Sequence, residues 1–229
     1  MKLIDSLNDS LPSYMCTLPY SKIKTKFRPF LVKEEKKLLI LEETSTQREI
    51  YNGIIEVLTA CFETNVDFSK IPLFEVEWCF LKLRAKSVGE TINPKIKCPI
   101  TKENHPVEVD INNIDLIIQT NENIIKINKN LILGLKYPTI NELIDKTDDI
   151  NQLIANCITY VEDDKERVEG SEFKSEEILD FLDHLTIAQY QKILVFFEKM
   201  PSVSLDVNYK TTDGVIRSLK LKGLKDFFT

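Results

Sequence analysis

The sequence predicts an α+β fold, and three observations carry that expectation. Hydrophobic residues fill 43% of 229 positions, enough to bury a core without disulfides or a metal. In some blocks apolar residues recur with a helical period of about 3.6, and in others they alternate with period two. Polar or proline-containing breaks separate the two kinds of block. The expected architecture is a set of N-terminal helices packed with antiparallel β-hairpins, then a C-terminal helical hairpin followed by a last β-hairpin. By composition the chain groups into a strand plus helical region at 1–91, a β-hairpin region at 92–137, and a helical region with a terminal β-hairpin at 138–229.

The first element is "YSKIKTKFRPF", in which Lys22, Lys24, Lys26 and Arg28 fall on one face and Ile23, Thr25 and Phe27 on the other. It reads as a strand with a basic outer face, a use of lysine that also discourages edge pairing. Arg28 precedes Pro29 and stays extended, so the helix expected in "LVKEEKKLLILEE" begins after it. Thr46 and Glu49 have capping-box spacing. Ile50, Ile54, Val57, Leu58 and Cys61 then make a continuous helical stripe, which assigns Cys61 to the core. Pro72 opens the next helix at a position that tolerates a missing N–H. Phe74, Trp78, Leu81, Ala85 and Val88 form one stripe along it and Val76, Phe80 and Leu83 a second. This helix is therefore expected to be covered on two sides until Gly89 ends it.

"PKIKCP" and "HPVEVDI" alternate around a short polar turn and read as a hairpin. "NIIKI" and "LILGLKY" read as another, turning at Asn128-Lys129-Asn130, where asparagine tolerates positive φ. Thr139 and Glu142 repeat the capping-box spacing ahead of Leu143 and Ile144, and Ile150, Leu153, Ile154 and Cys157 mark a further short helix. The charged stretch "EDDKERVEGSEFKS" shows no period and reads as a mobile loop or domain boundary. Ser175 then opens "SEEILDFLDHL", and Thr186 with Gln189 opens "IAQYQKILVFFEKM". Their stripes are Ile178, Phe181, Leu182 and Leu185 on one and Ile187, Tyr190, Ile193, Leu194 and Phe197 on the other, and these are expected to face each other. Pro201 stops the second helix, and two alternating stretches joined by "KTTDG" follow. Phe227 and Phe228 are expected to dock, because a terminal tail would otherwise expose them.

The net charge of −6 is unevenly placed. Residues 142–180 hold thirteen acids against four bases, and residues 20–37 hold seven bases against two acids. A basic front and an acidic middle can attract within one molecule or orient neighbouring copies and partners. Lys22, Lys24, Lys26 and Arg28 on the strand and Asp163, Asp164 and Glu166 in the acidic stretch are therefore the candidate partner-binding residues. The alternative is a nucleic-acid-binding module built on strand 22–28. A sequence pI near 5.2 and the lack of aromatics interleaved with the basic face argue against it. The five cysteines, Cys16, Cys61, Cys79, Cys98 and Cys157, are scattered through apolar patterns. That suits buried thiols in a reducing cytosol better than a disulfide framework. The start, "MKLIDSLNDSLP", lacks the apolar run of a signal peptide. The longest aliphatic run, Leu38 to Leu41, is far short of a membrane span.

No catalytic constellation assembles. There are two histidines, His105 and His184, and six glycines. A Gly-rich phosphate loop, His-Glu-x-x-His and Gly-x-Ser-x-Gly are all lacking, so no enzyme class and no cofactor is indicated. The acidic pairs Asp148-Asp149 and Asp163-Asp164 lie in polar stretches where capping and solvation account for them. A structural zinc site takes four ligands, usually two per Cys-x-x-Cys turn. "KCPITKENHP", in a knuckle-like hairpin at 96–109, offers Cys98, has Thr101 where a second cysteine would stand, and adds only His105. "YKTTDG" offers no ligand. The expectation is no metal, and a C-terminal β-hairpin of zinc-ribbon-like shape held by packing instead.

Taken in order, "TLPYSKIKTKFRPFLVKEEKKLLI", "FEVEWCFLKLRAKSVGE", "IKCPITKENHPVEVDI", "KINKNLILGLKYPT" and "FLDHLTIAQYQKILVFFEKMP…NYKTTDG…LKLKGLKDFF" resemble the baseplate hub proteins of T-even-type contractile-tailed phages. The resemblance covers nearly the whole chain and leaves mainly residues 162–174 unmatched. It implies a non-enzymatic late phage protein, made in the host bacterial cytoplasm, that takes part in building the hub of the tail baseplate. Such a protein either stays in the virion as a hub subunit or acts as an assembly chaperone and leaves. The partners implied are other hub or tail-tube proteins, with a homo-oligomer left open and no membrane involved. Members often carry Cys-x-x-Cys knuckles at hairpins matching "KCPIT" and "KTTDG". Of those cysteines this chain keeps only Cys98, so metal binding is not carried over, and Asp213-Gly214 is expected to keep the turn geometry.

Overall fold

Caps, prolines and alternation place most elements where the sequence predicts them in the computed structural model, which describes residues 10–44, 46–63, 65–116, 118, 123–144 and 149–227. The described residues begin with β1 (Tyr14–Thr17), β2 (Lys24–Phe27), α1 (Val32–Thr44), α2 (Gln47–Cys61) and α3 (Leu73–Ser87). Short strands follow, β3 (Thr91–Ile92), β4 (Lys95–Lys97), β5 (Asn104–Pro106), β6 (Val109–Asp110) and β7 (Asp115–Leu116). Next come β8 (Ile124–Lys126), β9 (Leu131–Leu135), α4 (Ile140–Ile144), α5 (Ile150–Cys157), β10 (Ile158–Asp163) and β11 (Arg167–Glu169). The last are α6 (Ser175–Asp183), α7 (Ile187–Glu198), β12 (Val203–Lys210), β13 (Ile216–Lys222) and α8 (Gly223–Phe227). Helices beside antiparallel ladders make this an α+β protein.

These elements gather into two compact units, residues 1–118 with 201–229, and residues 119–200. A grouping at 1–91, 92–137 and 138–229 follows changes of element type. The units follow pairing instead, because β12 joins β7 through Val203↔Leu116 and Ser204↔Asp115. Residues 1–9, Asp148, Phe228 and the side chains of Ile144 and Phe227 lie outside the described residues.

In the first unit β1 and β2 pair in register, Cys16 against Thr25 and Tyr14 against Phe27. Thr25 and Phe27 are buried while Lys24 and Lys26 are exposed, the alternation the sequence predicts. Lys22 departs from it. It sits in the turn before β2 with φ of 61°, where its N–H is bonded to Leu18 O. Phe27 stacks on Phe62 with ring centroids 4.9 Å apart. The capping box forms at the start of α2, with Thr46 N–H donating to Glu49 Oε2 at 2.7 Å. Ile54, Val57, Leu58 and Cys61 of the stripe are buried. Helix α3 is covered on two sides as expected, with Phe74, Val76, Phe80, Leu81, Leu83 and Ala85 buried. Its stripe ends short of Val88, which is 55% exposed. The expected hairpin at 94–111 forms as two ladders in one register, β4–β5 and β3–β6, interrupted where Pro94 has no N–H to donate and bridged by Val107 N–H to Pro94 O. The ladder β12–β13 runs from Ser204↔Lys222 to Lys210↔Ile216, and α8 follows with Leu224 buried.

The second unit is built on the sheet β11-β10-β9-β8. "EDDKERVEGSEFKS" is not a loop. Its first residues complete β10, a tight turn leads into β11, and a single 3-10 turn at Gly170–Glu172 leads to α6. The charged outer face hides the alternation from a hydropathy reading, because Arg167 covers the ring of Tyr160 at 3.6 Å and Val161 pairs with Val168. The β8–β9 turn closes on an Asx contact, Asn130 N–H to Asn128 Oδ1 at 2.8 Å, and not on positive φ at asparagine. Gly134 is required in β9, since a Cβ there would run into the Tyr160 ring. Helix α6 packs on α5, with Gln152 Nε2 donating to Ser175 Oγ at 3.1 Å. Helix α7 buries Ile193 and Phe196, the latter stacked on Tyr137 at 4.8 Å. Ile187, expected in the buried stripe, is 89% exposed because it is the first residue of α7 beside the Thr186 cap.

All five cysteines are free and buried. No helix of the described residues is long and apolar enough to cross a membrane.

Candidate interaction site

Two turns of the first unit come together, and the polar groups between them do the holding. In the first turn Cys98 N–H bonds Glu103 O at 2.8 Å and Lys102 N–H bonds Cys98 O at 2.9 Å. Lys102 takes a φ of 63° to close it. In the second, Thr211 N–H bonds Val215 O at 3.0 Å and Gly214 adopts a φ of 83°, as the Asp213-Gly214 pair predicts. Asp213 ties this turn, accepting from Val215 N–H at 3.2 Å and from Arg217 Nη2 at 2.6 Å. The Thr211 hydroxyl also donates to Asp213, and these bonds hold its carboxyl below the usual range.

Between the turns, the Thr212 hydroxyl donates to Glu103 Oε2 at 2.7 Å and the His105 and Tyr209 rings lie 5.4 Å apart. Thr101 N–H points at Cys98 Sγ from 3.4 Å, and the Tyr209 hydroxyl bonds the same sulfur. Burial pushes the Cys98 thiol up, but hydrogen bonds from Thr101, Tyr209 and the Ile100 amide outweigh it and hold the thiol at about 6. His105 Nε2 and Arg217 Nε are buried without a hydrogen-bond partner. Among the described residues no group of three or more His, Cys, Asp or Glu is placed to hold a metal ion. The outer tips carry apolar side chains, with Ile100 66%, Val215 47% and Ile216 73% exposed.

Helix α3 adds two buried carboxylates. Glu75 Oε1 accepts from Tyr20 N–H at 2.6 Å and Ser21 N–H at 2.8 Å, pinning the turn between β1 and β2. Its Oε2 has no partner. Glu77 accepts from Leu224 N–H at 3.2 Å and from the Tyr51 hydroxyl at 3.4 Å, and so anchors α8. Burial pushes the Glu77 carboxyl up to about 7, against these bonds and the Lys222 charge. Gly223 serves this contact with a φ of 72°, and a Cβ there would stand 3.2 Å from Glu77 Oε1. Neither carboxylate is singled out by sequence pattern. The available signal is the helix itself, since one covered on two sides leaves little exposed surface for charge.

The candidate residues named from sequence divide between the units. Lys24 and Lys26 share the exposed face of β2, with Lys26 3.9 Å from Glu63. Arg28 is engaged internally, bonding Glu34 Oε1 at 3.1 Å, Ala60 O at 3.0 Å and Pro29 O at 2.9 Å. Asp163 caps the β10–β11 turn, accepting from Lys165 N–H at 2.8 Å and Glu166 N–H at 2.9 Å, which holds its carboxyl below the usual range. Asp164 is bonded by Asn130, and Glu166 is exposed. The acidic set is thus a structured turn of the second unit.

The polar groups of these two turns are spent on holding the turns, and the tips Ile100, Val215 and Ile216 stand in water. The sequence model of the family described as T4 bacteriophage base plate protein matches residues 11–229. The chain belongs to that family. No curated protein and no solved structure matches it.

Proposed function

We propose that this chain is a non-enzymatic protein of the baseplate hub that acts through protein–protein contacts, as a hub subunit or as a factor in hub assembly. The observation that carries the reading is the family match across residues 11–229. It is supported by the apolar tips Ile100, Val215 and Ile216, since exposed apolar clusters mark contact surfaces. Other hub or tail-tube proteins are the partners, met in the host bacterial cytoplasm and, for a permanent subunit, retained in the virion tail. Lys24, Lys26 and Glu166 remain candidate contacts. Lys22, Arg28, Asp163 and Asp164 have internal partners and contribute through the shape of their turns. Nucleic-acid binding by strand 22–28 is weakened, because Arg28 is held by Glu34 and Lys26 faces Glu63.

The test is quantitative mass spectrometry of purified virions beside lysate from infected cells. A stoichiometry matching tail symmetry makes the chain a structural subunit. Abundance in lysate with absence from virions makes it an assembly factor. Failure to co-purify with any baseplate protein from lysate, together with absence from virions, overturns the reading.

A further inference from the structure

We propose that copies of this chain associate, the outward face of α1 in one copy docking on the acidic outer face of α6 and the start of α7 in another. Successive residues turn about 100° around a helix, so Val32, Lys33, Lys36, Leu39 and Ile40 share one face of α1. That face points to water, with Val32 64%, Leu39 55% and Ile40 65% exposed. The opposite side is the one used internally. Glu34 is buried beneath it, and Lys37 pairs with Glu56 of α2. Single exposed aliphatics need no explanation, but three on one arc beside Lys36, with Lys33 drawn to Glu34 at 3.5 Å, form a surface that water solvates poorly.

The complement lies on the second unit. Helix α6 buries Ile178 and Leu182 and turns Glu176, Glu177, Asp180 and Asp183 outward, so four carboxylates share one arc. Ile187 follows at the start of α7 and is 89% exposed. An apolar face carrying Lys36 fits an apolar contact flanked by carboxylates, and like charge opposes pairing of the α6 face with itself. A contact between two different faces repeats as a closed ring or an open chain, or closes reciprocally in a two-fold dimer. This goes beyond the proposed function, because it holds whether or not the chain remains in the virion.

The test is sedimentation velocity of the full chain over a range of concentrations at low and high salt. The expected result is a mean mass that rises with concentration and falls as salt rises. Two charge reversals serve as variants, Lys36→Glu, and Asp180→Lys with Asp183→Lys. Each alone should be monomeric, and an equal mixture of the two should associate again, since the reversed faces are complementary. Circular dichroism matching the wild type confirms that the exposed substitutions leave the fold intact. Should either variant misfold, Leu39→Ser with Ile40→Ser is read instead, and weakened association with an unchanged salt slope supports the contact. A wild type that stays monomeric at every concentration, reversal variants that associate as well as the wild type, or a mixture that stays monomeric overturns the proposal.

Discussion

The Thr212 hydroxyl donates to the Glu103 carboxylate at 2.7 Å, joining turns 109 residues apart in sequence. This bond, with the Cys98 to Tyr209 contact, does the work of a cross-link between two hairpins. Thr212→Val should cost no more than about 1 kcal/mol, because Glu103 is half exposed and water replaces part of the bond. The clearer effect is local. Hydrogen exchange at the Cys98 and Lys102 amides should quicken while that of α2 stays unchanged, and equal rates throughout would mean the turns are held by other contacts.

Cys98 should titrate apart from Cys61 and Cys157. Burial pushes Cys61 up to about 11 and Cys157 up to about 12, whereas the bonds around Cys98 hold it at about 6. Thiolate absorbance in the ultraviolet should show a step near pH 6 that Cys98→Ser removes and Tyr209→Phe moves upward. A folded value below the ordinary 9.0 means the native state favours the thiolate. The stabilisation is therefore fully present above the ordinary value and is lost as pH falls through about 6.

Glu77 has the opposite sign. Its folded value of about 7 lies above the ordinary 4.5, so the native state favours the protonated carboxyl. The contribution of this group is fully present below about 4.5 and is lost as pH rises through about 7, with a span of about 3 kcal/mol. Glu77→Gln should flatten that part of the stability profile in denaturant titrations between mildly acidic and mildly alkaline pH. An unchanged slope in the variant would remove Glu77 as its source.

At Glu75 the contrast is between two substitutions. Glu75→Ala strands the half-buried amides of Tyr20 and Ser21 and should cost about 1–3 kcal/mol, since water reaches them only in part. Glu75→Gln keeps an acceptor for them and should cost less. Equal losses in thermal or denaturant melts would show that charge, and not the bonds to the turn, sets the value.

What the sequence makes legible is what neighbours decide. The alternation at Lys24, Thr25, Lys26 and Phe27, and the capping boxes at Thr46 with Glu49 and Thr186 with Gln189, depend on residues a few positions apart, so pattern reads them correctly. The partners of Glu75 lie 54 and 55 residues away and the Leu224 partner of Glu77 lies 147 away, so their burial has no local signature. Residues 162–169 failed for another reason. Their strand is stabilised by Arg167 over Tyr160 and by backbone pairing, which hydropathy does not register. The Cys98 to Tyr209 contact was half legible, since the two turns stood out by their chemistry while the strand residue joining them did not.

The pairing of β7 with β12 also sets an order of events during synthesis. Residues 119–200 are contiguous, so the second unit can close as soon as they leave the ribosome. The first unit must wait with an unpaired strand edge at Asp115 and Leu116 and an empty seat beside Glu77, until Val203 to Leu224 arrive. A chain broken off before Val203 therefore leaves β7 without its partner strand, exposed to proteases and to other nascent chains. Copies translated through Leu224 close over that edge, so the late strand acts as a built-in check on which molecules become available for assembly.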